Sequence, residues 1–512
     1  MNIRKLLTRL VSLALIAVFL PTVAMADTWY LEDGSITVSA TESGQNVSQG
    51  GVTKEDSAPV IRNRDSSAST TNNVTIKADT GATANVTLED TNIDTTGGAG
   101  PNGAGDAAVR TEGGGNVNLN VELDNTLQSG NTRAGVEKGN GGSLTIGSES
   151  GSGQLVAVGG DGGAGIGSED RLASGNYNVG NITITGGDIF ATGNGGGAGI
   201  GGGWYCSASD ITITGGNVTA VGKEDNPNRI GGAGIGGGGS QNSNAGGGSN
   251  IKITGGRVTA VGGNFSAGIG GSIGSNGDNI TISDAEVIAI GGTCAAGIGG
   301  GCRLGNGIVG QGTNISISGS ANVKAAGGVT DGEDGAGAAI GAGGSHQGGT
   351  LIDATEGVAD ISGLSPDGSV ERLDPGTTFE IPQPKPRSSF PKPTPDPVAV
   401  EEEPQPVKAA LYRVIDDAGK PLPVEAKQED GVLLLTAQAD IAILEGAISG
   451  LQTLQSRGID TITFTNGTIS VSFSLAEVIA KGASSDVYRL TLSGGEANFT
   501  LADADITALL GK

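Results

Sequence analysis

Aromatic side chains are scarce in this chain, at 3% of 512 residues. With 96 glycines beside so few rings, the core cannot be conventional. Histidine occurs once, as His346 in Gly-Ser-His-Gln-Gly-Gly, which rules out His-paired catalysis. Three cysteines, Cys206, Cys294 and Cys302, are too few for a disulfide framework. Cys294 and Cys302 flank a single Ala-Gly-Ile-Gly strand and would stand at its opposite ends. A bridge between them is therefore not expected, and all three read as small buried or corner residues. Positive charge is also scarce, with 29 Lys and Arg against 54 Asp and Glu, a net charge of -25. That balance disfavours nucleic acid and anionic membranes as partners and favours solubility.

Long apolar runs are missing as well. Leu10 to Leu20 is too short to span a bilayer, and no other stretch comes close. Preceded by Arg4, Lys5 and Arg9 and followed by Ala24-Met-Ala26, it reads as a secretory signal over residues 1–26. Removing those three positive charges takes the net charge from -25 to -28. The expectation is an extracellular protein, secreted or non-covalently attached to a surface, with no transmembrane segment.

What the chain does have is a repeat. Asn181-Ile-Thr-Ile-Thr-Gly-Gly, Asp188-Ile-Phe-Ala-Thr-Gly and Ala198-Gly-Ile-Gly-Gly-Gly return from Ile211, Ile251, Ile280 and Ile315, and an earlier copy starts at Leu144. Each unit spans roughly 30 to 40 residues with three strand-like segments, too few for a propeller blade. Glycine follows no period of three, so collagen is out. The pattern predicts a mainly β fold, a right-handed parallel β-helix with three strand faces. Alternation turns Ile182 and Ile184 inward and Thr183 and Thr185 outward. Ile182, Ile211, Ile251, Ile280 and Ile315 should stack, as should Ile166, Ile200, Ile235, Ile269, Ile298 and Ile340. In Ala-Gly-Ile-Gly the Ala and Ile should point in and the glycines face out or supply positive-φ corners. Asn181, Asp210, Asn250, Asn279 and Asn314 form a column that can hydrogen-bond from coil to coil. Turn chemistry at strand entry explains the Asn-x-Thr/Ser triplets better than glycosylation does.

The organisation then follows. Residues 27–72 are the N-terminal cap and entry coil, 73–380 the solenoid, and 381–408 a Pro-rich, semi-rigid linker. Residues 409–512 form a small α+β domain. Within it, Asp440 to Arg457 has the helical apolar spacing Ile441, Leu444, Ile448, Leu451 and Leu454. Asn466-Gly467 and Gly494-Gly495 each mark a hairpin, and each hairpin leads into a short helix.

On these motifs, Val86-Thr-Leu-Glu-Asp-Thr-Asn-Ile-Asp, Asn125-Thr-Leu-Gln-Ser-Gly-Asn-Thr-Arg-Ala-Gly-Val-Glu and the Gly-Gly-Ala-Gly-Ile-Gly-Gly-Gly repeats, the chain resembles glycine-rich β-helical secreted proteins of Gram-positive bacteria. It is more distantly similar to carbohydrate-binding β-helices of cellulolytic anaerobes. The resemblance implies the fold and says little of function, because the repeats are scaffold.

β-Helices that cleave acidic polysaccharides need clustered carboxylates, with calcium and an Arg base or as an acid/base set. No such cluster is legible. The position before the second strand reads Gln154, Asp188, Asn217, Arg257, Glu286 and Asn322, mixed in sign as in a solvated corner. Asp331, Glu333 and Asp334 form a loop that can hold calcium, although a solvated acidic loop is the simpler reading; no other cofactor is implied. Arg110 and Arg133 could meet a sugar acid or cap Glu89, Asp90, Glu122 and Asp124. Phosphate-binding readings of the glycine runs fail, since none is followed by Lys-Ser/Thr or a helix.

The expected function is non-catalytic binding of a polysaccharide or cell-wall glycan, or adhesion. The contact candidates are Thr183, Thr212 and Thr281 on a flat face with Phe190, Trp204 and Tyr205, the Trp204-Tyr205 pair projecting from a corner. Alternatives are a structural stalk with a protein partner at residues 409–512, and a calcium-dependent lyase. An ice-binding Thr array is disfavoured by Lys252 and Ser316.

Overall fold

A computed structural model describes residues 27–386 and 412–511, apart from 98–104, 171–177, 224–229, 242–245, 304–307, 331, 333, 348–349, 353, 355–356, 358, 418–419, 421, 423, 430, 438, 457–458, 483–485, 494 and 503. The signal reading at 1–26 and most of the Pro-rich linker lie outside these residues. Two compact units divide at Asp396 and Pro397.

The first unit is a solenoid of three sheets. Its first sheet runs from Thr28–Tyr30 through Leu144–Gly147, Ile182–Ile184, Ser207–Ile213, Gly248–Ile253, Gly277–Ser283 and Gly312–Ser318 to Ala359–Asp360. The second runs from Asn92–Asp94 through Gln154–Asp161, Asp188–Asn194 and Asn217–Gly222 to Ser369–Leu373, and the third from Ile36–Thr41 to Ile340–Gly341. Successive coils pair in parallel and in register, so Ile182 lies beside Ile211, Ile211 beside Ile251, and Ile251 beside Ile280. Those isoleucines are fully buried, as are Val218, Val258 and Val287 of the second sheet and Ile200, Ile235 and Ile269 of the third. Each such side chain contributes about 2 kcal/mol of burial, and identical residues stacked at about 4.8 Å leave few voids.

Most of residues 27–72, the stretch assigned to the N-terminal cap and entry coil, belongs to solenoid coils. Thr28–Tyr30 and Val60–Arg62 already belong to the first sheet, and Ile36–Thr41 pairs in parallel with Val74–Ala78. Only Gly44–Gln49 and Val52–Glu55 run antiparallel, extending the third sheet at its N-terminal edge.

The third face is not a simple strand. Each Ala-Gly-Ile-Gly motif is pinched by a backbone bond from the Ala N–H to the carbonyl four residues on: Ala198 to Gly202 at 2.8 Å, Ala267 to Gly271 at 2.9 Å and Ala296 to Gly300 at 3.0 Å. The pinch drives Ile into the core and brings the flanking arms together. The glycines therefore do not face out. Gly199 is buried, and a Cβ there would lie 2.4 Å from the backbone nitrogen of Val221 in the next coil. Gly201, at φ +135°, takes the positive-φ role expected of it.

The same pinch corrects the cysteine reading. Cys294 and Cys302 sit four residues either side of Ile298, and the folded-back arms place their Cα atoms 5.2 Å apart in a disulfide. Extended strand geometry would have separated them; a doubled loop does not. Cys206 is a buried thiol, as expected, with its Sγ against the Glu169 and Trp204 carbonyls.

Asn181, Asp210, Asn250, Asn279 and Asn314 all occupy the left-handed region, at φ between +52° and +56°, where Asn and Asp are tolerated best. The amide column is linked from Asn250 to Asp210 at 3.0 Å and from Asn279 to Asn250 at 2.7 Å, but Asn314 turns to Asp278 at 2.9 Å.

The second unit has two sheets. One is antiparallel in the order Arg413–Ile415, Ile441–Ala447, Val487–Ser493, Glu496–Leu501, Ala504–Asp505. The other orders Val424–Glu429, Val432–Ala437, Thr461–Thr465, Ser470–Ser474, with a parallel pair at its centre. Phe464, Phe473, Tyr488 and Phe499 are buried in its core, with the Phe473 and Phe499 rings 4.7 Å apart. The helix expected over Asp440 to Arg457 is confined to Ile448–Ser456. Ile441–Ala447 pairs on both edges, which overrides a spacing that also fits strand alternation through Ala442 and Leu444. Of the two hairpins, Thr461–Thr465 with Ser470–Ser474 leads directly into the helix Leu475–Ile479, whereas Val487–Ser493 with Glu496–Leu501 reaches only a 3-10 turn at Thr507–Leu509.

Candidate functional site

The threonine candidates come together. Cross-strand register places Thr145, Thr183, Thr212, Lys252, Thr281 and Ser316 side by side on the outer surface of the first sheet. Alternation holds them outward while their Ile neighbours are buried, so the column is a flat row of hydroxyls with one ammonium in it. Towards the N-terminal end the row continues through Asn118 and Asn85, whose amides hydrogen-bond at 2.9 Å.

The aromatic candidates do not join this row. Phe190 is half-buried on the second sheet, next in register to Val156 and Thr219. Trp204 is only 3% exposed, which corrects the expectation that it projects. It stands four residues after Ile200, and the pinch lays its ring over Gly196, where a Cβ would lie 2.0 Å from its Cε3. Gly196 and Trp204 thus repeat the relation of Cys294 to Cys302, one coil site filled by a ring over a glycine and another by a covalent bond. Tyr205 is half-buried at φ +66° and packs edge-on against Trp204 at 5.2 Å.

In the acidic loop, Asp331 and Glu333 lie outside the described residues. Asp334 is buried and pairs with Arg303 at 2.9 Å, so its charge is neutralised by a guanidinium. Its carboxylate also lies near the Cys294–Cys302 bridge, but disulfide sulfurs are not thiolate ligands.

Arg110 and Arg133 face a different set of carboxylates from the one expected. Arg110 pairs with Glu112 at 3.3 Å and Glu137 at 3.2 Å, and Arg133 pairs with Glu137 at 3.3 Å and with Glu169. Adjacent strands of the third sheet bring Arg110 and Glu137 into register, a cross-strand relation that spacing along one coil did not reveal. Burial pushes the Glu137 carboxyl up to about 7, against the pull of Arg133. Next to it, burial lowers the Lys138 ammonium to about 8 while it donates to the carbonyls of Asn140 and Gly142 at 2.7 and 2.8 Å.

A stability consequence follows from Glu137. Its folded value lies above the ordinary 4.5, so the stability it contributes is complete below about 4.5 and is lost as pH rises through about 7. Glu137→Gln, which cannot ionise, should remove that loss. Denaturant melts of the two proteins should diverge across this window, with the variant gaining on the order of 3 kcal/mol by neutral pH. A constant difference from pH 4 to 8 would show that the arginines already hold Glu137 ionised.

The position before the second strand is paired rather than merely solvated. Asn217 donates to Asp188 at 2.8 Å, Arg257 meets Glu286 at 2.7 Å, and Gln154, 1% exposed, donates to Asp124 at 3.0 Å.

Comparison with known proteins bears on the repeats. A family model described as a beta helix repeat matches residues 182–204, 211–239, 251–274 and 280–302, each match covering the first strand through the pinched loop of one coil. This is a parallel β-helix protein. The β-helix extends beyond the matched repeats in both directions, to coils whose sequences are less regular but whose strands stay in register. No curated protein and no solved structure matched the chain.

Proposed function

We propose that this β-helix is a non-catalytic polysaccharide-binding or adhesive protein, secreted or held non-covalently at a cell surface. The observation that carries the reading is the outward row Thr145, Thr183, Thr212, Lys252, Thr281 and Ser316, which offers hydrogen-bonding groups at a constant spacing of about 4.8 Å along the solenoid axis. An extended glycan lying along that axis meets a polar group at each strand, so many weak contacts add without induced fit. The secretory pattern of residues 1–26 and the Cys294–Cys302 disulfide support an oxidising, extracytoplasmic location. The pairing of Glu169 with Arg133 and of Asp334 with Arg303 supports a binding role over acid/base work.

The test is a triple variant, Thr183→Val, Thr212→Val and Thr281→Val, which deletes three hydroxyls and keeps side-chain shape. Retention of the full-length protein on plant or cell-wall polysaccharides should fall more than about tenfold, since each net hydrogen bond contributes about 1 kcal/mol. The melt should stay unchanged. Undiminished retention would move the site to another face. Chelator-sensitive release of unsaturated sugars would make the protein a lyase, and failure to bind any polysaccharide, with binding to a protein through residues 409–512, would make it a stalk.

A further inference from the structure

The chain does not leave the solenoid at its last coil. After Ser369–Leu373 it turns back, with the Gly376 N–H bonded to the Gly327 carbonyl at 2.9 Å, and reaches Gln154 and Asp188 several coils earlier. There Lys385 is held three times. Its N–H donates to the Gln154 side-chain oxygen at 2.8 Å, its carbonyl accepts from the Gln154 amide at 3.2 Å, and its ammonium meets Asp188 at 2.7 Å. The contact joins residues 231 apart in sequence.

Between these anchors the segment crosses the outer face of the second sheet. From the strand Asn322–Ala326 to the strand Asp188–Asn194 is four strand spacings, about 19 Å, within reach of nine extended residues. Thr377, Phe379, Ile381 and Pro384 are half-buried while Glu380, Pro382, Gln383 and Lys385 are exposed, so one side of the segment is turned to the sheet. Beneath the crossing, Thr219 and Thr259 point outward by strand alternation, yet are 6% and 2% exposed.

We propose that Gln154, Asp188 and the adjoining outer face of the second sheet form a binding site for an extended Pro-Lys-Pro segment, filled in this chain by Pro384-Lys385-Pro386. The chemistry is that of backbone-plus-side-chain recognition. Gln154 reads one residue's N–H and C=O together, Asp188 selects a cation there, and flanking prolines hold the ligand extended at little entropic cost. Gln154 is buried and further positioned by Asp124, so the reading group is pre-oriented. Asp188 is in turn held by Asn217. The site goes beyond the glycan reading, since it lies on a different sheet from the threonine row. The sequence writes Pro-Lys-Pro again at Pro391-Lys392-Pro393, outside the described residues, and a synthetic peptide of residues 389–394 is the natural probe.

Hydrogen exchange on the full-length protein tests the site in place. The Lys385 amide should exchange more than about tenfold slower than in a free peptide, and Asp188→Lys should abolish that protection. Combining Asp188→Lys with Lys385→Asp should restore it, which a merely disrupted surface would not do. In Lys385→Asp, where the chain's own ligand is repelled, the synthetic peptide should bind in trans, and it should fail to bind once Asp188 is also changed to Lys. Free-peptide exchange of Lys385 in the unmodified protein, or peptide binding indifferent to residue 188, would overturn the proposal. Thermal melts of each variant report whether the solenoid itself is intact.

Discussion

Adding one methyl group at Gly199 is expected to unfold the coils around it. A Cβ there would lie 2.4 Å from the Val221 nitrogen, 2.7 Å from the Ala220 carbonyl carbon and 2.7 Å from the Gly234 oxygen, all of them backbone atoms of the next coil. No side chain can swing aside, because the neighbours are the ladder itself. Relief requires the coils to part, breaking the bonds from Gly199 to Ala233 and from Ile200 to Gly234. Gly199→Ala should therefore cost more than about 3 kcal/mol, beyond ordinary overpacking, and lower the yield of folded protein. A control at Gly151, where an added Cβ meets nothing, isolates the clash from intrinsic propensity, although its φ of +72° carries a small strain of its own. A Gly199→Ala protein melting like the parent would mean that the pinched loops are not packed as described.

The second large effect is expected at Trp204. A surface aromatic used for sugar contact could be removed with little change in stability, whereas Trp204 is buried over Gly196 and packs against Tyr205. Trp204→Ala should open a cavity and cost about 3 kcal/mol or more. Trp204→Phe should recover part of that loss. An unchanged melt with weakened glycan retention would instead return Trp204 to the surface role first expected of it.

These two sites show where the sequence was legible. The core columns, the strand registers and the asparagine column could be read because each rests on a residue recurring at one place in every coil. Ile211, Val218 and Asn250 announce their neighbours by repetition alone. What could not be read depends on a single coil or on distance along the chain. Trp204 resembles a projecting aromatic until the pinch between Ala198 and Gly202 is known, and the same pinch hides the meeting of Cys294 with Cys302. Ile441 to Leu454 satisfies helical and strand spacing alike, and pairing partners on either edge decide between them. The hold of Gln154 on Lys385 has no local signature, because a glutamine before a strand looks the same whether or not a distant segment returns to it.

The antiparallel strands Gly44–Gln49 and Val52–Glu55 close the third sheet at the end that is synthesised first. Every later coil therefore arrives at a ready edge whose register is already set, and finds its partner one turn back rather than across the molecule. Coils can therefore add in order from that end, like a crystal advancing from a seed, and an interrupted chain is expected to stop as a shorter solenoid with a competent front rather than as a misfolded whole.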